Sequence, residues 1–110
     1  MFQLSWIGDN GDPDNFLYTL LSGDAWFPGG FNLGFYKNPV VDRLLREART
    51  ITDKQARTER YQQAQKLIME DAPWVVVNHE TQIVAMDRRI KNFVIHPTGV
   101  FRFAPVTTAE

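Results

Sequence analysis

The sequence predicts an α+β fold with three helices and short strands, and three observations carry that prediction. Asp12-Pro13 and Asn38-Pro39 each place a capping side chain directly before a proline, the pattern that opens a helix. Apolar residues then recur at helical spacing as far as Pro73. After Pro73 the composition switches to β-branched and aromatic residues in short runs divided by turn formers. Helices first and strands afterwards is the order of an α+β chain.

Each element follows from local chemistry. Residues 2–7 alternate apolar and polar side chains, as a short strand does, and Gly8 to Asp12 then form a loop of Gly, Asp and Asn. Asp12 caps the first helix, Pro13 takes its first position and Asp14 suits the positive end of the helix dipole. Phe16, Leu17, Leu20 and Leu21 should face inward, and the helix should stop near Ser22-Gly23. The stretch from Gly23 to Lys37 holds five of its glycines and prolines (Gly23, Pro28, Gly29, Gly30, Gly34) among exposed aromatics, so it reads as an ordered loop or flap.

The second helix should bury Val41, Leu44, Leu45 and Ala48. Thr52 with Gln55 is a capping-box signature for the third, whose apolar face would use Ala56, Tyr61, Ala64, Leu67 and Ile68 before Asp71-Ala72-Pro73 ends it. Residues 74–78 then read as a buried strand, 82–86 as a second, and 91–95 and 100–103 as further short strands about the turn Pro97-Thr98-Gly99.

Composition removes several classes of function. Hydrophobic residues make up 44% and charged residues 23%, the balance of a soluble globular domain. The net charge is -1 and the only basic cluster is Arg88-Arg89 with Lys91, so nucleic acid has little to bind. The longest apolar runs, 74–77 and 83–86, are far too short to cross a bilayer. With no cysteine there is no disulfide, no thiolate zinc site and no thiol nucleophile. The segment 1–6 lacks a basic n-region and an apolar signal core, and the chain begins inside an expected strand, as a piece of a longer protein would.

Candidate chemistry is sparse. Asp9, Asp12 and Asp14 suggest calcium, but an EF-hand loop needs Gly at its sixth position and Glu at its twelfth. Counting from Asp9 those places hold Asp14 and Leu20, and Pro13 interrupts the loop. His79-Glu80 lacks a second His at position 83, so no zincin motif forms, and His79 reads as a hydrogen-bonded structural histidine. His96, before Pro97, belongs to a turn. Ser5 and Ser22 lack the G-x-S-x-G elbow. The residues therefore argue for no enzyme, no metal and no cofactor. Asp9 remains: at the end of a strand beside Trp6, its carboxylate could be solvated or could face a ligand cation, for which a desolvated primary ammonium is well suited.

The run Trp6-Ile7-Gly8-Asp9-Asn10-Gly11-Asp12-Pro13-Asp14-Asn15-Phe16 resembles a segment of the dipeptide- and oligopeptide-binding proteins that serve ABC importers, the family 5 extracellular solute-binding proteins. Four further stretches match that family in order: Phe31-Asn32 leading to Tyr36-Lys37-Asn38-Pro39 with Asp42 and Leu45; Arg60-Tyr61 with Ala64-Gln65; Glu70-Asp71-Ala72-Pro73-Trp74; and Lys91-Asn92-Phe93 with His96-Pro97-Thr98-Gly99. The resemblance covers nearly the whole chain and implies the C-terminal part of a two-lobed, type II periplasmic-binding-protein fold. Residues 1–73 would lie within the ligand-binding lobe, and 74–110 would supply strands returning towards the other lobe.

It further implies capture of dipeptides or short oligopeptides for import, permease subunits as partners, and a periplasmic or extracytoplasmic location at the membrane through the transporter. Asp9 would pair with the peptide α-ammonium, Trp6 would pack on the ligand, Asn32 would line the cleft, and Trp74 would belong to the core. Cysteines that flank the flap in some dipeptide binders are absent here. Relatives carry nickel chelates, haem or oligosaccharides, so another solute is the first rival reading. The second is a non-receptor helical interaction domain, which predicts a self-sufficient monomer. A receptor fragment instead predicts exposed strand edges and a strand-exchanged homodimer.

Overall fold

The computed structural model describes residues 2–109. The chain divides into two compact units, Asp12–Val76 on one side and Met1–Gly11 with Val77–Glu110 on the other. The boundary falls at 76/77, and residues 1–11 group with residues 77–110. Among the described residues the fold is α+β: α1 (Asp14–Leu21), α2 (Pro39–Thr50), α3 (Lys54–Asp71), and two short strands, β1 (Ile90–Lys91) and β2 (Thr107–Thr108).

All three helices start on a side chain that satisfies orphan backbone donors. The Asp12 carboxylate accepts from the Asp14 N–H at 2.8 Å, with Pro13 already in helical conformation. Asn38 Oδ1 accepts from the Val40 and Val41 N–H groups at 2.9 and 3.4 Å. At α3 the expected capping box does not form. Asp53, not Thr52, is the cap, accepting from the Ala56 N–H at 2.8 Å, while the Gln55 amide turns along the helix to Glu59. Asp is the better N-cap of the two, since its carboxylate is the stronger acceptor. Pro73 disfavours helical backbone at Ala72. Ala72 accordingly adopts the left-handed region (φ 47°) and its N–H returns to Ile68 O at 3.0 Å.

The core of the helical unit is small and well defined. Leu17, Leu20 and Leu21 of α1, Val41, Leu44, Leu45 and Ala48 of α2, and Tyr61, Ala64 and Ile68 of α3 are buried. Each large aliphatic chain withdrawn from water contributes about 1.5–3 kcal/mol before entropy is counted. Phe16 departs from the expected inward set: it is 41% exposed and meets Trp74 edge to face, ring centroids 6.2 Å apart. An eight-residue helix offers one narrow stripe to its neighbours, and Leu17, Leu20 and Leu21 fill it.

Two polar knots tie the helices together. Arg57 of α3 makes a two-pronged ion pair with Asp12, both contacts 2.8 Å, donates from Nε to Ala48 O at 3.0 Å, and reaches the Tyr61 hydroxyl at 2.9 Å. One guanidinium thus joins the start of α1, the end of α2 and the body of α3. The second knot is Asp42 of α2, which is buried and accepts from the Gly23 N–H at 2.6 Å and the Ser22 hydroxyl at 3.4 Å. A Cβ at Gly23 would stand 2.7 Å from the same carboxylate, so only glycine admits the contact.

The strand expectations need correction. Among the described residues only Ile90–Lys91 and Thr107–Thr108 pair, antiparallel, with Ile90 opposite Thr108 and Lys91 opposite Thr107. Among the described residues, 2–7, 74–78, 82–86 and 100–103 form no ladder. Val75, Val76 and Val77 are 89%, 72% and 75% exposed, the reverse of a buried strand. A β-rich run becomes a strand only against a partner that takes its backbone hydrogen bonds. His79, expected to be a hydrogen-bonded structural histidine, lies exposed outside regular secondary structure.

The Arg57 knot has a pH signature. The Arg57 hydrogen bonds hold the Asp12 carboxyl below its ordinary value. A carboxylate with a depressed folded pKa contributes stability that is fully present above the unfolded value, about 3.9, and lost as pH falls through the folded one. Asp12→Asn should therefore lower stability at neutral pH and flatten its decline below about pH 4, read by urea unfolding across a pH series.

Candidate functional site

Asp9 sits in a bend at residues 9–11, exposed, and Trp6 precedes it outside regular secondary structure, half-buried. The turn at residues 96–99 braces this segment at both ends. Gly99 (φ 79°) packs so closely that an added Cβ would meet Ile7 Cγ2 at 3.3 Å and Gln82 Nε2 at 2.9 Å. Gly11 (φ 74°) lies beside the Thr98 methyl, 3.6 Å from where its own Cβ would be. Neither glycine could be replaced without strain, because the left-handed region disfavours a side chain.

The turn itself is closed by Gly99 N–H to His96 O at 2.9 Å, and His96 Nδ1 contacts the Thr98 hydroxyl at 2.7 Å. Asn92 (φ 61°) adds a hydrogen bond to the Thr107 hydroxyl at 3.2 Å, and Phe93, Phe101 and Phe103 stack with centroids 6.0–6.2 Å apart. Between its two braced ends the Asp9 bend presents an exposed carboxylate three positions after the half-buried Trp6, side chains of the types that can receive a cation.

Of the three acidic residues that suggested calcium, Asp12 gives both oxygens to Arg57 and Asp14 forms an ion pair with Arg49 at 3.4 Å. Among the described residues no group of three or more His, Asp or Glu side chains is arranged to hold a metal ion.

Asn32 is in the helical unit, and its placement corrects the expectation that it lines a cleft. It is 2% exposed. Its amide donates to Ser22 O at 2.9 Å and Tyr36 O at 2.7 Å, and accepts from the Tyr36 N–H at 3.2 Å. An asparagine with both donors engaged inside a loop is a clamp on that loop. The sequence spacing Asn32–Tyr36 held the signal, since an Asn side chain readily closes a turn onto its own backbone.

The rest of the flap is ordered as expected and is shaped by the same contacts. Gly30 approaches Ala25 O so closely that a Cβ would fall 2.2 Å from it, and Phe35 adopts φ 55°, a left-handed conformation that a bulky residue takes only when its surroundings impose it. Tyr36 and Asn38 both donate to Asp71 at 2.6 and 2.7 Å, fastening the loop to the end of α3. Burial and the Asp71 carboxylate raise the Tyr36 phenol above its ordinary value. Trp26, Phe27, Phe31 and Phe35 remain exposed. Trp74 is half-buried on Phe16 and against Gly34, whose added Cβ would come within 2.8 Å of the indole nitrogen.

Haem-binding protein A of Haemophilus influenzae is 39% identical over 102 residues, covering 93% of this chain and 18% of its own. Di/tripeptide-binding protein 1 of Pseudomonas aeruginosa is 36% identical over 107 residues, covering 97% and 20%. Among solved structures, HbpA2 from Haemophilus parasuis superposes with a TM-score of 0.76 at 32% identity, over 96% of this chain and 20% of that one. The ABC transporter-associated periplasmic binding protein DppA from Helicobacter pylori, in complex with the peptide STSA, does so with a TM-score of 0.62 at 42% identity, over 64% and 14%.

Over nearly its whole length the chain is similar to haem-binding, dipeptide-binding and di/tripeptide-binding proteins. It spans about a fifth of the length of the curated relatives it matches. No protein-family model matches the chain. No helix among the described residues is long and apolar enough to cross a membrane.

Replacing Asn32 with the similarly sized Leu should cost about 1–3 kcal/mol, because buried carbonyls of Ser22 and Tyr36 lose their donor. Denaturant unfolding of the Asn32→Leu protein measures that loss.

Proposed function

We propose that this chain is part of a receptor that captures dipeptides or short oligopeptides outside the cytoplasm and delivers them to an ABC importer. The observation that carries the reading is the Asp9 bend beside Trp6, in a chain 36% identical to a di/tripeptide-binding protein and superposable on a peptide-bound one at a TM-score of 0.62. Asp9 receives the α-ammonium of the ligand and Trp6 packs against its backbone or side chain. The group that holds the peptide carboxylate lies in another part of the full-length protein. Nothing in this role requires bond-making chemistry, and no catalytic residue is assigned. Import implies permease subunits as partners and a periplasmic or otherwise extracytoplasmic location.

Apart from a longer chain, the exposed run 75–77 would offer its unpaired backbone to a second copy. The isolated 110-residue chain would then self-associate through strand pairing.

The similarity to a haem-binding protein, at 39% identity, supports a second reading in which the same framework holds haem. Titrating the full-length protein with haem while following its visible absorption separates the two.

The direct test of the peptide reading is Asp9→Ala in the full-length protein. Removing one partner of a desolvated charge pair should weaken free-amine peptide binding by about 2–5 kcal/mol. Calorimetric affinities within twofold of the parent would remove Asp9 from the site.

A further inference from the structure

We infer that His96 is a positioning residue for the Asp9 carboxylate, acting through the turn His96-Pro97-Thr98-Gly99 on which both flanks of the Asp9 bend rest. His96 has this role only if Asp9 is the ammonium partner, the reading on which it rests. Ile7 and Gly11 flank the bend, and they meet neighbouring residues of the turn. A Cβ on Gly99 would stand 3.3 Å from Ile7 Cγ2, and one on Gly11 would stand 3.6 Å from the Thr98 methyl. Thr98 and Gly99 are consecutive, so their Cα atoms lie about 3.8 Å apart. Residues 7–11 therefore start and finish against adjacent positions, which sets the chord across the bend. Trp6, Asp9 and Asn10 also have interactions of their own. What the turn adds to them is the separation of the two flanks, and a change in that separation shifts where the carboxylate stands.

His96 holds both of the positions that the flanks touch. Its carbonyl accepts from the Gly99 N–H at 2.9 Å and closes the turn. Its Nδ1 accepts from the Thr98 N–H at 3.3 Å and stands 2.7 Å from the Thr98 hydroxyl. A backbone N–H can only donate, so Nδ1 presents its lone pair, and the hydroxyl donates to the same nitrogen. Pro97 fixes φ at the second position of the turn, where proline is favoured. With its hydroxyl drawn to Nδ1, Thr98 is confined to one staggered arrangement about Cα–Cβ. That rotation places the methyl, and the methyl is the group that meets Gly11.

The role requires an acceptor at one position and not an imidazole as such. Asparagine carries Oδ1 the same number of bonds from Cα as Nδ1 of histidine, and readily accepts from a backbone N–H two residues on. Ammonium recognition depends on a donor–acceptor distance of about 2.7–2.9 Å. Freeing the Thr98 side chain should therefore weaken discrimination for the free amine more than it weakens grip on the rest of the peptide.

The test uses the full-length protein with a dipeptide and its N-acetylated twin, and reads the ratio of their affinities by calorimetry. His96→Phe keeps a flat ring but removes the acceptor, and Thr98→Val keeps the shape but removes the hydroxyl. Each should lower the free-amine preference at least fivefold. His96→Asn should keep it within twofold of the parent. So should Arg46→Ala, which breaks the ion pair with Asp24 and controls for lost stability. Either His96→Phe or Thr98→Val, folded and with the parent ratio, would overturn the inference and leave the Asp9 reading intact. So would His96→Asn or Arg46→Ala impaired as far as His96→Phe. A parent protein that binds both peptides alike would overturn both. Should His96→Phe fail to fold, Thr98→Val decides in its place, because it alters a single heavy atom.

Discussion

One guanidinium organises the helical unit. Arg57 reaches Asp12, two residues before α1, the last turn of α2 and the tyrosine one turn along its own helix. Apolar packing supplies the larger energy, through Leu45, Val41 and their neighbours, but hydrophobic contact is non-directional and would tolerate sliding. Hydrogen bonds to a charged group, worth about 1.5–3 kcal/mol each when well made, decide which arrangement of the three helices is unique. Partial burial matters here. Arg57 and Asp12 side chains keep 27% and 33% of their exposure, enough to avoid the full desolvation cost of a buried ion pair while escaping most of the screening felt at an open surface.

The polar framework and the exposed chemistry divide the labour. Asp42, Asn32, Asp71 and Arg57 hold backbone and one another. Asp9 and the flap aromatics stand outward. Asn32 shows why residue type alone could not assign these roles: a conspicuous asparagine beside an aromatic loop suits a cleft wall or a buried clamp equally well. Only its place under Ser22 and Tyr36 separates the two.

Helices were legible because their information is local. The Asn38-Pro39 start and the buried set Val41, Leu44, Leu45 and Ala48 stand where the spacing puts them. The α3 cap moved by one residue because Thr52 and Asp53 are both competent and the stronger acceptor prevailed. Strands were less legible because their information is not local. Residues 74–78 have the composition of a sheet interior, yet Val75 is 89% exposed, since composition describes what a partner strand would meet and does not supply one. Arg57 carried no motif at all: it is one of two arginines on α3, and its partner Asp12 lies 45 residues away. Asp9 was singled out by its motif context, which charge and spacing alone could not have raised above a solvated loop residue.

The central claim is that Asp9 meets the amino terminus of a captured peptide. A crystal structure of the full-length protein with a bound tripeptide tests it most directly. The account predicts the peptide ammonium within about 2.7–2.9 Å of an Asp9 carboxylate oxygen, with Trp6 against the ligand. A peptide whose amine is held by other groups, with Asp9 turned to solvent, would contradict it.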